Sequence, residues 1–367
     1  MQTVLFHHTP MAYRNSSKQK PPQHALAVQE TSAERIIKAA HQHTATVWQG
    51  DFHNAKQVLA AIKKRVRRKM KAESDPATAF HKHRMAQAQQ SQIINMLLVE
   101  IAGDYTVNAQ RAPDVQAALN DVFGASNGES FLLPLNQLLG FIGAHEWHKK
   151  GVDIAELGDK IHVPFGVFSP IRGEYLALVA QTRLPENCQS AQDIGTGSGV
   201  LAAILAKRGV GKIIATDNNP RAIACAQQNV QRLGLSQHIQ LRECDLFADE
   251  CVDLIVCNPP WLPAQATSAI ETALYDPKHA MLKAVLQRAH AHLQPHGELW
   301  LIMSDLAEHL GLRQKDELAH ILAQNHWHIA HIAQTQASHP KAHDPNDPLA
   351  FARSQERTFL YCLQSQK

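Results

Sequence analysis

Apolar positions divide the chain into two textures. In the stretch DFHNAKQVLAAIKKRVRRKM, Phe52, Ala55, Leu59, Ile62 and Val66 recur three or four residues apart, which predicts one buried helical face with Asp51 as its N-cap after Gly50. A second helix is expected near Pro134 to Lys149, carrying Leu135, Leu138, Leu139, Ile142 and Trp147 and stopped at Gly151. Strand signals are scarce in this half. Residues 1–29 are polar, contain Pro21 and Pro22, and read as a flexible tail. The expectation is therefore an all-helical N-terminal domain over residues 30–150, followed by a connecting segment over 151–187.

After about residue 185 short apolar runs alternate with amphipathic ones. Strands are predicted near Ala191–Ile194, Lys212–Thr216, Ile239–Glu243, Val252–Cys257, Glu298–Met303, His328–Ala333 and Thr358–Leu363. Helices fit near Gly199–Arg208, Pro220–Leu233 and Pro277–His292, with a short one near Leu246. Such alternation predicts an α/β domain over residues 188–367 whose mostly parallel sheet is covered on both faces. The last two strands, joined through SHPKAHDPNDPLA without an obvious helix, predict an antiparallel ending.

Composition narrows the classes. With 367 residues, 44% hydrophobic and 19% charged, the chain can bury a large core, and no apolar run approaches a membrane span. The N-terminus shows no apolar leader, so a cytoplasmic location is expected. Six cysteines without C-x-x-C spacing predict packed thiols, and 23 scattered histidines without H-E-x-x-H spacing predict no metal.

Candidate chemistry lies at the strand ends. DIGTGSG, Asp193 to Gly199, turns the first strand into a helix with glycines at 195, 197 and 199, but Val200 replaces the glycine of a dinucleotide fingerprint. Asp217 ends the second strand a little over 20 residues later, where α/β nucleotide sites place an acid for ribose hydroxyls, and Asp245 follows the third. CNPPW ends the fourth. Consecutive prolines cannot continue strand or helix, so Asn258, Pro259, Pro260 and Trp261 form a rigid stop. Cys257, inside an apolar strand, reads as a packed thiol and not as a nucleophile.

These motifs together resemble the class I S-adenosylmethionine-dependent methyltransferases of the methyltransferase small-domain type. NPPW is similar to their (N/D/S)-P-P-(Y/F/W) motif, and the resemblance covers about residues 165–363. It implies a Rossmann-like, seven-stranded, mostly parallel sheet and S-adenosyl-L-methionine as cofactor. Asp193, Gly195, Thr196, Gly197, Gly199, Asp217 and Asp245 would hold that cofactor, with Asn258 bordering it. The Asn258 oxygen and the Pro259 carbonyl would accept hydrogen bonds from a target NH2, while Trp261 stacks on its plane. The first strand, CQSAQDI, is more polar than the family's usual apolar run. Upstream, FGVFSPIRGEYLALV resembles segments of release-factor glutamine methyltransferases and of ribosomal RNA guanine amine methyltransferases, which makes Phe168, Arg172 and Glu174 substrate candidates.

The reading is N-methylation of a planar NH2 in a translation component, either an rRNA or tRNA base or a protein glutamine. The alternative is a non-catalytic RNA- or ribosome-binding protein that keeps the fold. Lys63, Lys64, Arg65, Arg67, Arg68, Lys69 and Lys71 crowd the end of the first amphipathic helix and favour RNA or ribosome contact.

Overall fold

The computed structural model describes residues 2–67, 73–171, 173–267, 270–336, 344 and 347–366. The chain forms two compact units, Met1–Ala72 with Phe80–Lys149 and Thr267–Ala269, and Glu73–Ala79 with Lys150–Ala266 and Ile270–Lys367. None of the helices among the described residues is long and apolar enough to cross a membrane.

The first unit corrects two expectations, since its N-terminus is not a loose tail and the unit is not all-helical. Strands β1 (Gln2–Phe6), β2 (Thr9–Tyr13), β3 (His24–Val28), β4 (Thr44–Trp48), β5 (Leu97–Ile101) and β6 (Phe131–Pro134) close a barrel in the order β1-β2-β6-β5-β4-β3. Val4, Phe6, Tyr13, Ala25, Ala45, Val47, Leu98 and Leu132 fill one buried cluster in it. The first two strands are joined through His7 and His8, both with positive φ, the twist that a two-residue hairpin requires. Histidine there lacks the Asn-Gly signature, so the hairpin is hidden from a reading of turns.

Helices α1 (Ala33–His41), α2 (Phe52–Val66), α3 (Pro76–Ile94) and α4 (Gln116–Phe123) connect these strands, and α5 (Leu135–Lys150) follows β6. The α2 expectation holds: Phe52, Ala55, Leu59 and Ile62 are buried and Asp51 caps Asn54 N. The helix nevertheless ends at Val66, with Arg67 as an extended C-cap, so it carries only Lys63, Lys64 and Arg65 of the seven cations. Arg68, Lys69 and Lys71 lie outside the described residues. In α5, Leu135, Leu138 and Phe141 are buried, whereas Trp147 is exposed.

The second unit opens with the hairpin β7 (Val152–Ile154) and β8 (Asp159–Ile161), then α6 (Glu174–Gln181). Its sheet comprises β9 (Ser190–Ile194), β10 (Lys212–Asp217), β11 (Ile239–Glu243), β12 (Val252–Cys257), β13 (Leu293–Ser304), β14 (Trp327–Gln336) and β15 (Arg357–Ser365). Helices α7 (Val200–Lys207), α8 (Pro220–Arg232), α9 (Ala280–Arg288), α10 (Leu306–His309), α11 (Glu317–Gln324) and α12 (Ala350–Arg353) complete it. Strand order is β11-β10-β9-β12-β13-β15-β14, with β15 antiparallel to both neighbours. This is the seven-stranded, mostly parallel sheet expected, including its antiparallel ending. Because strand side chains alternate, Leu254 and Val256 join the core under α7 and α8, while Ile255 and Cys257 join the core under α9 and α11.

The helix expected near Leu246 is absent. Thr216 Oγ1 donates to the Leu246 carbonyl, and Gln192 donates to the carbonyls of Ala248 and Glu250 while accepting from Ala248 N. Side chains of β9 and β10 thus satisfy this loop's backbone groups, and no helical ladder is needed. The polar character of β9 has the same cause, for Gln192 is fully buried as a three-bond staple. Gln192→Leu should therefore cost roughly 2–3 kcal/mol of unfolding free energy by leaving buried loop groups unpaired. Denaturant melts of the two proteins measure this, and an unchanged midpoint would contradict the staple.

Candidate active site

Strand register places the motifs side by side. Ile194 of β9 pairs with Thr216 of β10 on one side and with Cys257 of β12 on the other. The three chains therefore leave the sheet at one level, where α/β folds bind ligands. Asp193, the glycine loop, Asp217 and Asn258 all stand in this row.

Each glycine of DIGTGSG has a positive φ, and Gly199 also abuts α8, since a Cβ there would lie 3.2 Å from Ala226 Cβ. The loop is fastened from inside. Asp193 Oδ2 accepts from Thr196 Oγ1 at 2.6 Å and from Ala202 N at 3.1 Å. Asp193 Oδ1, equally buried, has no partner among the described residues. Burial pushes the Asp193 carboxyl up to about 6, against the hydrogen bonds from Thr196 and Ala202 and with help from the Asp217 charge.

Asp217 is held by main chain, accepting from Gly197 N at 3.0 Å and from Asn219 N at 2.9 Å. Burial raises its carboxyl as well, opposed by the amides of Asn219, Gly197 and Asn218. Asp245 stands apart. Its side chain is 75% exposed and paired with Arg288 Nη1 at 3.1 Å, so the structure does not bring it into the buried row.

The NPPW turn is anchored at both ends. Asn258 Oδ1 accepts from Trp261 Nε1 at 2.9 Å, and the Leu262 carbonyl accepts from Asp276 N at 2.8 Å. Asp276 is buried and caps α9 through Met281 N and Leu282 N. The Pro259 carbonyl accepts no hydrogen bond among the described residues. An amide oxygen has two lone pairs, so Asn258 Oδ1 keeps one acceptor position beside the indole. Trp261 is partly buried against both cores, which fixes its ring. Cys257 is fully buried and its thiol is pushed upward by burial and by Asp193 and Asp276, as a packed thiol requires.

Of the upstream candidates, Phe168 is half-buried in the loop and Glu174 opens α6. Arg172 lies outside the described residues. The residue of this stretch that reaches the row is Tyr175, buried, with its hydroxyl raised mainly by burial and by Asp193 and lowered in part by the Asn258 side chain. Nothing local marks Tyr175 in the sequence, because its partners are distant along the chain.

The donor set suits an adenosyl amino acid. An unpartnered buried carboxylate oxygen at Asp193 matches an ammonium group, and the positive-φ glycines leave the backbone open to close approach. Since the Asp193 carboxyl sits at about 6 when folded against roughly 3.9 unfolded, its charged form burdens the ligand-free fold. Its stabilising contribution is present below pH 4 and lost as pH rises to about 6, a change on the order of 3 kcal/mol. Denaturant unfolding at pH 4 and pH 7 should show wild type losing ground to Asp193→Asn by that order, and a gap independent of pH would contradict it.

The methyltransferase small domain family model matches residues 160–331. A release factor glutamine methyltransferase of Cereibacter sphaeroides is 37% identical over 135 residues, 33% of this chain and 49% of its own. A tRNA1(Val) (adenine(37)-N6)-methyltransferase of Vibrio vulnificus is 29% identical over 176 residues, 44% of this chain and 65% of its own. The chain spans about half the length of the curated relatives it matches first. A solved SAM-dependent methyltransferase from Thiobacillus denitrificans, in complex with S-adenosyl-L-homocysteine, overlays 55% of this chain and 95% of its own at 15% identity and a TM-score of 0.38, which adds nothing to the family match. Over residues 160–331, somewhat less than half of its length, the chain is therefore similar to the methyltransferase small domain family.

Proposed function

We propose that the protein transfers a methyl group from S-adenosylmethionine to a planar NH2 nitrogen of a translation component. The observation that carries this is the register of Ile194 between Thr216 and Cys257, which sets NPPW beside the glycine loop and Asp217. Asp193 Oδ1 would receive the methionine ammonium. Asp217 would meet ribose hydroxyls with the lone pairs its two backbone amides leave free, while Asp245 reaches an adenine edge only by leaving Arg288.

When bound, the sulfonium supplies an electrophilic methyl, so no strong base is required of the protein. The protein's task is orientation. The second lone pair of Asn258 Oδ1 and the open Pro259 carbonyl accept the two N–H bonds of the target amine. This aims the nitrogen lone pair and stabilises the positive charge that grows on it. Trp261 holds the Asn258 amide in place, and the exposed remainder of its ring offers a stacking face.

A conjugated NH2 occurs in both acceptors that the relatives' names specify, a protein glutamine and a tRNA adenine. The exposed Lys63, Lys64, Arg65 and Arg67 support RNA, because each phosphate they neutralise releases counterions. The test is transfer of labelled methyl to tRNA, ribosomes and release factors taken from cells lacking the protein. Asn258→Ala should cut transfer by roughly 100-fold or more with cofactor affinity retained. Normal turnover in that variant would reduce NPPW to a structural turn, and absence of label in every fraction would leave the non-catalytic alternative. If label enters RNA, Lys64→Ala with Arg67→Ala should weaken RNA binding and flatten its salt dependence, whereas label confined to release factors selects glutamine.

A further inference from the structure

The first unit holds a cluster that the methyltransferase reading does not use. Asp121 stands near the end of α4, and His145 and His148 stand three residues apart on α5. His145 Nδ1 lies 2.5 Å and His148 Nδ1 3.0 Å from one and the same oxygen, Asp121 Oδ2. The three donor atoms are all within 4.8 Å of one another, and each side chain is about one-fifth exposed.

We propose that Asp121, His145 and His148 bind a late first-row divalent ion of the zinc class. Hard cations such as magnesium select oxygen ligands, whereas two imidazoles with one carboxylate select zinc and its neighbours. At metal–ligand distances of about 2.0–2.1 Å, tetrahedral donors stand roughly 3.3 Å apart. The observed separations of 2.5 and 3.0 Å would therefore open by less than about 1 Å to admit an ion. Each imidazole would offer its Nδ1 lone pair and carry its proton on Nε2.

Three protein ligands leave a fourth position for water. The ion would pin the last turn of α5 to α4 just before the chain passes into the second unit at Lys150. Sequence spacing gave no warning, because Asp121 is 24 residues from His145 and only the tertiary fold joins them.

The test uses the full chain, freed of any affinity tag and stripped with chelator. Titration with Co²⁺, followed by its visible ligand-field absorbance, should saturate at one ion per chain. Zn²⁺ should displace it and raise Tm. Asp121→Asn and His148→Gln should each lose the saturable absorbance and the Zn²⁺-dependent rise in Tm while keeping wild-type circular dichroism. Should one variant fail to fold, the other decides, with His145→Gln as a third. Wild type without a stoichiometric Co²⁺ spectrum, or folded variants that bind as wild type does, would overturn the site.

Discussion

The pairing of Ile194 with Thr216 on one side and Cys257 on the other is the constraint on which the site depends. Parallel strands advance together, so a register fixed at these residues puts the next residues of all three strands at the same height. A slip of one residue would turn Asp193 toward the other face and carry Asn258 away from the glycine loop. Two polar side chains, Asp253 and the buried Asn229, guard the arrangement. Asp253 accepts from Gln189 N, Ser190 N and Ser190 Oγ at the entry of β9. Asn229 of α8 donates to the Ser198 and His162 carbonyls and accepts from His162 N, tying the glycine loop to the segment before α6.

The same row concentrates electrostatic cost. Asp193 and Asp217 are both raised by burial, and the Asp217 charge further disfavours ionisation at Asp193. A fold with no use for them would place apolar residues there, since unpaired buried carboxylates destabilise. Their retention beside an unpartnered oxygen fits a site that a cationic ligand completes. Asn258 is treated differently, for Trp261 bonds its amide oxygen and fixes its orientation. One part of the row waits for charge and the other is preset in geometry.

Much of this was legible in the sequence because its signals are local. Most strands of the large sheet carry a short apolar run, and DIGTGSG and NPPW are contiguous, so pattern and spacing sufficed for these. Asp245 was only partly legible for the same reason. Its position after β11 was read correctly, but the partner that draws it outward, Arg288, lies on α9. Tyr175 escaped notice because its partners Asp193 and Asn258 are remote. In the first unit the barrel strands are four or five residues long and pair across the whole unit, Ala12 with Phe131 for example. Leu97–Ile101 follows α3 after only two residues, so its apolar run blends into the helix that precedes it. Helical periodicity dominated that stretch because helices record themselves in neighbouring residues and parallel strands do not.

The account's central claim is that the row at the ends of β9, β10 and β12 is an adenosyl amino acid site and not a dinucleotide site. Calorimetric titration of the full chain tests this most directly. S-adenosylmethionine and S-adenosylhomocysteine should each bind at one site per chain, and nicotinamide dinucleotides should give no heat, because Val200 stands where their fingerprint needs glycine. Binding of a nicotinamide dinucleotide in their place, or no binding of either sulfur nucleoside by folded protein, would contradict the account.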